Sequence, residues 1–295
     1  MRIILTFNLI FKLLYQHTHT FGSLLVLLMH QANKHRSLFN LSALWGLVFC
    51  VQYLPYIAIA LSSEILNIIS IILLILFIAT VFLLLHEYSR IFHERPSSLL
   101  GLNLDGAKYS LRIALIFAII APIRLTAFML LGEPKVLSIP PWLAQTPKLL
   151  VPIVAMLRWF AGGLTIFSML MGFTVEILDR HKVLTRRNIF LIFVCLCLLY
   201  NAPLTYLLFG ELITVSLIGE IIDVIMLGVA LLIYLRTRNA IGIIIIYTFV
   251  YEAPVNTAVL YGWGPIIYIV YLLFWTAIFL INVALALRRK SWKLC

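Results

Sequence analysis

The chain has 295 residues, of which 63% are hydrophobic and only 11% charged. A soluble domain carries roughly 45–50% apolar residues and about a quarter charged ones, and the mean hydropathy of +1.09 points the same way. Soluble enzymes, disordered chains and secreted disulfide scaffolds are excluded, and the formal net charge of +11 is read first as membrane orientation.

Taken in chain order, residues 1–40 contain two apolar runs, 3–15 and 21–29, separated by Gln16-His17-Thr18-His19. Each run is too short to cross a bilayer, so this segment is expected to lie on the cytoplasmic-side interface as amphipathic helix. Residues 41–288 form the expected transmembrane domain, and 289–295 a basic cytoplasmic tail. A span needs about 20 predominantly apolar residues. Eight stretches qualify: 42–62, 65–85, 111–131, 149–173, 188–210, 213–235, 240–261 and 265–287. They are too long and continuous for barrel strands. The expected fold is therefore all-α, a polytopic membrane helix bundle.

The cations sort by side. Of the 22, 18 fall in the N-terminal segment, in the loops after spans two, four and six, or after span eight. Lys135 and Lys148 stand on the other side, while Arg124 and Arg158 lie within spans. This asymmetry places both termini in the cytoplasm. The positive excess is accounted for by orientation and headgroup contact, and no nucleic-acid partner is expected.

Spans one, three, five and seven share a proline near the middle: Pro55, Pro122, Pro203 and Pro254, three of them as Ala-Pro. Each is followed by a span ending in basic residues, so the chain reads as four tandem kinked hairpins of one orientation. The proline spacings of 67, 81 and 51 residues make the repetition divergent. A proline withholds the N–H that the carbonyl four residues back would accept, and in a membrane that carbonyl needs another partner. Kinked helices can simply pack well; they can also open a cavity on the bundle axis.

Ionisable groups deep in spans are costly and by default functional. Arg124, Arg158, Glu220, Asp223 and Glu252 lie seven to ten residues from the outer ends of their spans. At the helical rise this is about 10–15 Å below the outer surface. Asn201 joins the same layer. Three acids against two arginines leave one acid in excess, and a buried carboxyl without a cationic partner holds its proton near neutrality. That is the condition for a general acid or a proton-coupled carrier. A structural salt-bridge network that fixes helix register is the alternative. Glu220 and Asp223, three apart, share one helix face. Around Glu252, Asn256 shares its face at i+4, whereas Tyr251 points about 100° away on an α-helix. Tyr247, Tyr251 and Tyr200, with Tyr53 and Tyr56 at the first proline, supply aromatic faces that can steady positive charge.

No lysine and no histidine lies mid-span, which argues against a retinal Schiff base and intramembrane zinc chemistry. His86-Glu87 and His93-Glu94 repeat at seven residues and read as a solvated face rather than a metal site. Asp-rich diphosphate motifs are absent, and no cofactor or metal is expected. Cys50, Cys195 and Cys197 read as small apolar residues.

Three resemblances attach to particular residues. Val175-Glu176-Ile177-Leu178-Asp179-Arg180, with Tyr234-Leu235-Arg236-Thr237 later, resembles the CAAX-type intramembrane proteases. Val175 replaces the first of that family's paired glutamates, and Tyr200 and Tyr247 stand where its histidines belong, so proteolysis is not expected. His86-Glu87-Tyr88-Ser89-Arg90 and Arg95-Pro96-Ser97-Ser98-Leu99-Leu100 resemble a loop in the N-terminal membrane domain of ABC multidrug-resistance-associated transporters. Without a Walker motif this implies shared hairpin architecture and no ATPase. In size, topology and buried acids, the chain resembles the small membrane-bound terpene cyclases of meroterpenoid pathways. That resemblance implies an acid that protonates an epoxide or alkene terminus, matched here to Glu252 and Asp223, with Glu220 beside them. Tyr251, Tyr247, Asn256, Tyr200, Asn201, Arg124 and Arg158 would line the site for a lipophilic small-molecule substrate. The expected function is a cofactor-free, proton-initiated prenyl-chain cyclase. The alternative is a small membrane carrier or sensor using the same polar layer.

Overall fold

The computed structural model describes residues 35–60, 64–131, 147, 150–200, 217–252 and 265–288; at 55–60, 200 and 217–220, among others, only the backbone is described. Every regular element among them is helical, and five stretches are long and apolar enough to cross a membrane: Ser37–Leu54, Ile71–Phe92, Pro96–Ala127, Ile153–Arg180 and Tyr268–Arg288. The expected spans at 188–210, 213–235 and 240–261 run into residues outside the described ones, as do nearly all of 1–40 and all of 289–295. Pro203 and Pro254 fall in the same gaps.

The chain divides into two compact units, Met1–Ile91 and Phe92–Cys295. In the first, α1 (His35–Ala60) buries Leu38, Leu41, Trp45 and Val48, spaced three and four apart as a helical stripe requires. Helix α2 (Glu64–Phe92) buries Phe77, Val81, Leu84, Leu85 and Tyr88 on one side and exposes Ile65, Ile68, Ile72, Ile75 and Leu83 elsewhere. An apolar exposed surface of that extent suits lipid, not water. The Pro55 backbone lies inside α1 without ending it.

The second unit is built around a broken span. After the short α3 (Pro96–Leu99), α4 (Leu104–Ile116) and α5 (Ile120–Leu131) are separated by a turn at 117–119. There the backbone bonds tighten to i→i+3: Phe117 N–H donates to Ala114 O at 3.0 Å, and Ile120 N–H to Phe117 O at 3.0 Å. Pro122 cannot serve the Ala118 carbonyl, and Ala121 N–H does so instead at 3.3 Å. The proline expected to kink span three thus coincides with a break, and Arg124 stands two residues beyond it.

Helix α6 (Val151–Gly163) runs into a π-helical segment, π1 (Leu164–Gly172), and on into α7 (Phe173–Arg180). Then follow α8 (Arg186–Tyr200), α9 (Leu217–Thr237) and α10 (Ile241–Ile246) with its π-helical continuation π2 (Tyr247–Glu252), and finally α11 (Pro265–Arg288). Helices α9, α10 and α11 pack on α4, while α9, α11 and π2 pack on α5. The α4–α10 crossing is close: a Cβ on Gly242 would collide with the backbone of Ser110 and Leu111. Helix α11 exposes Ile266, Ile269, Val270, Leu273, Phe274 and Leu280 along its length, again as a lipid-facing surface does.

Candidate buried charge site

Three expected site residues from three elements meet inside the second unit. Arg124 on α5 donates from Nη1 to Glu252 Oε1 of π2 at 2.9 Å, and its Nε lies 3.5 Å from Asp223 Oδ1 of α9. Tyr251 donates its hydroxyl to the same Asp223 oxygen. Its ring also lies under the guanidinium, 4.5 Å from centroid to Cζ. Arg124, Asp223 and Glu252 are 7%, 8% and 1% exposed. A charge this deep is tolerated only when paired and hydrogen-bonded, and each of the three is.

The π-helix explains how Tyr251 and Glu252 serve one cation. On an α-helix neighbouring residues diverge by about 100°, and Tyr251 was expected to point away from Glu252's surroundings. Closure of i→i+5 bonds widens the turn, so that residues four and five beyond Tyr247 both stay on the inner side. Of the six residues in π2, Phe249 alone is exposed. Tyr247 stacks along Tyr251 at 6.4 Å between centroids and meets Phe167 of π1 edge-on at 4.9 Å. Within π2, the Val250 carbonyl accepts from the Tyr271 hydroxyl of α11.

The remaining expected residues divide. Arg158, placed by its depth in the same layer, is exposed, with its Cζ 5.8 Å from the Trp159 ring. Depth along a helix does not specify azimuth, and α6 turns this residue outward. The Glu220 and Tyr200 side chains, Asn201 and Asn256 lie outside the described residues. Tyr53 stacks on Phe49 within α1, at 6.0 Å and 2° between planes.

A second cluster went unrecognised in the sequence. Arg180 grips Glu94 with two nitrogens, Nε at 3.0 Å from Oε1 and Nη2 on Oε2, and also pairs with Glu176. Arg238 reaches Asp179 at 3.0 Å and Glu176 at 3.6 Å. Tyr234 donates to Glu176 Oε1 at 3.1 Å. Glu94, read as part of a solvated face, is therefore an ion-pair partner; the Arg180 guanidinium, with help from Ser98 Oγ at 2.8 Å, holds its carboxyl below the usual range. The two segments quoted for the intramembrane-protease resemblance adjoin in space through the Tyr234–Glu176 bond. Asn239 completes this end: it accepts from Ser110 Oγ at 2.7 Å and from Ile241 N–H at 3.0 Å, and its amide donates to Asn103 O. The signal available in the sequence was the i, i+4 pair Glu176–Arg180, which looks the same on a solvated helix end. Among the described residues no group of three or more His, Cys, Asp or Glu side chains could hold a metal ion.

Among the described residues, fold and sites define an all-helical protein with five membrane-capable helices and a paired charge cluster buried inside the second unit. Comparison with protein-family models, with curated proteins and with solved structures finds no match.

Proposed function

We propose that this is a multi-pass membrane protein whose Arg124–Asp223–Glu252 cluster exchanges a proton, and that it works as a small proton-coupled carrier. The observation that carries this reading is a contact in one buried site: among the described residues, two carboxylates from different elements meet one guanidinium. Acids buried inside a span mark proton and ion pathways, and two of them meet here on one cation. Asp223, at 3.5 Å from the guanidinium and held by a tyrosine hydroxyl, is the looser partner of Arg124 and the proposed proton carrier. Support comes from the backbone. The cluster stands where one span is broken and another leaves the α register, and carriers place ion and substrate sites at discontinuous helices. Both termini lie in the cytoplasm, and eight spans in four hairpins complete the bundle.

The test is proton movement into proteoliposomes carrying the purified chain and a pH-sensitive dye. Uptake above that of empty vesicles, lost in Asp223→Asn and Glu252→Gln, is expected. Wild-type vesicles no leakier than empty ones would overturn the reading.

A second reading keeps the same proton and gives it to a prenyl chain, making the protein an intramembrane terpene cyclase. It is favoured by the aromatic layer of Phe167, Tyr247 and Tyr251 beside the acids. It ranks second because one face of Tyr251 already holds Arg124 and is not open to a carbocation. Membranes containing the chain, given a farnesylated phenol with a terminal epoxide, would yield a cyclised product that disappears in Asp223→Asn.

A further inference from the structure

The ion-paired end of the second unit carries more positive charge than its acids can neutralise, and the geometry shows why. Glu94, Glu176 and Asp179, which could have neutralised the surface, are committed to Arg180 and Arg238. Their bonds tie the residues after α2 to the ends of α7 and α9, and Asn239 ties in the start of α4 through Asn103. What remains outside the clamp is cationic: Arg95, Lys108, Lys182, Arg186, Arg187 and Arg236 are all exposed and form no ion pair among the described residues. Asp105, in the first turn of α4, is the exposed acid among them. Leu104, Tyr109 and Phe190, 82%, 55% and 61% exposed, lie in the same helix starts as Lys108, Arg186 and Arg187. Apolar and aromatic side chains interleaved with cations suit the boundary between headgroups and acyl chains, whereas a water-facing surface gains nothing from them.

We propose that this clamped end binds the phosphate-bearing headgroups of anionic phospholipids. The internal ion pairs gather the cations from the three loops and α4 into one surface. Each cation near an anionic leaflet contributes favourably and additively over short range, and salt screens the attraction. The inference is independent of the proton site: it concerns other residues and a different ligand.

The purified full chain is placed in nanodiscs of phosphatidylcholine alone or with one lipid in three replaced by phosphatidylglycerol, and its thermal unfolding is followed. Anionic lipid is expected to raise the midpoint by several degrees. High salt should remove that shift, and so should replacement of the six cations by glutamine. No shift in the wild type overturns the proposal, as does a shift that survives high salt. A shift undiminished in the glutamine variant places the lipid elsewhere and overturns it too. Inorganic phosphate added to phosphatidylcholine discs must not reproduce the shift; if it does, the surface takes free phosphate and the lipid assignment fails. Should the glutamine variant not fold, the salt and phosphate arms on the wild type decide.

Discussion

Arg124 and Glu252 stand 128 positions apart in the chain and meet at 2.9 Å between Nη1 and Oε1. Asp223 shares the same guanidinium, so its removal strands two carboxylates. Breaking a buried ion pair from one side costs about 3–5 kcal/mol, because the partner is left charged without compensation. Arg124→Met should therefore unfold at markedly lower temperature in detergent. The triple variant Arg124→Met, Asp223→Asn, Glu252→Gln, which carries no charge there, should recover much of the loss. A triple variant less stable than Arg124→Met would show that the acids do more than balance the arginine.

Tyr251 makes two separable contributions. Tyr251→Phe keeps the ring under Arg124 and removes the hydroxyl from Asp223, at a cost of roughly 1.5–3 kcal/mol for a hydrogen bond to a charged group. Tyr251→Leu also removes the cation–π contact, worth about 2 kcal/mol when desolvated. Unfolding midpoints should fall in the order wild type, Phe, Leu; equal midpoints for the two variants would mean that the ring contact contributes nothing.

The Tyr271 hydroxyl on the Val250 carbonyl predicts sensitivity at a residue far from any charge in sequence. Tyr271→Phe removes a buried hydrogen bond, costing about 0.5–1.5 kcal/mol. The loss should concentrate in π2, with faster amide hydrogen exchange over 247–252 than over α9. Uniform exchange across both would refute it.

Glu94 is exposed enough that its pairing with Arg180 shows mainly as pH dependence. Its carboxyl is held below the ordinary value near 4.5, first by the Arg180 hydrogen bonds. A depressed carboxyl stabilises the fold above its unfolded value, and that stabilisation is lost as pH falls through the folded value. Wild type and Glu94→Gln should therefore differ in stability at neutral pH and converge below pH 4.5. A gap that persists in acid would assign Glu94 a role other than its charge.

Gly242 tests the α4–α10 crossing. A methyl group there meets backbone atoms of Ser110 and Leu111 that no rotamer change can move. Gly242→Ala should cost about 1–3 kcal/mol as an overpacked contact, read as lower folded yield and a lower midpoint. Gly46→Ala, with nothing within 4 Å of the new Cβ, is the control.

Composition and periodicity determined the class. Apolar runs of span length force helices, because lipid offers backbone groups no partner, and the rarity of charge inside those runs singles out Arg124, Arg158, Glu220, Asp223 and Glu252 before any coordinate is known. The proline pattern likewise marked the Ala118 carbonyl, which Pro122 cannot serve and Ala121 does. Depth, however, is one coordinate of two. Arg124 and Arg158 are equivalent by depth, and only packing turned one inward onto two acids and the other outward. The π register of Tyr247–Glu252 is a tertiary outcome as well: no residue code marks it, and it alone brings Tyr251 and Glu252 onto one guanidinium. The clamp at Arg180 and Arg238 was illegible because a surface pair and a shared one have the same local sequence. What distinguishes them is which distant helix ends they tie together. One-dimensional patterning follows from the solvent each residue must face, whereas the pairing of charges across the bundle depends on azimuth, and azimuth is decided only when helices pack.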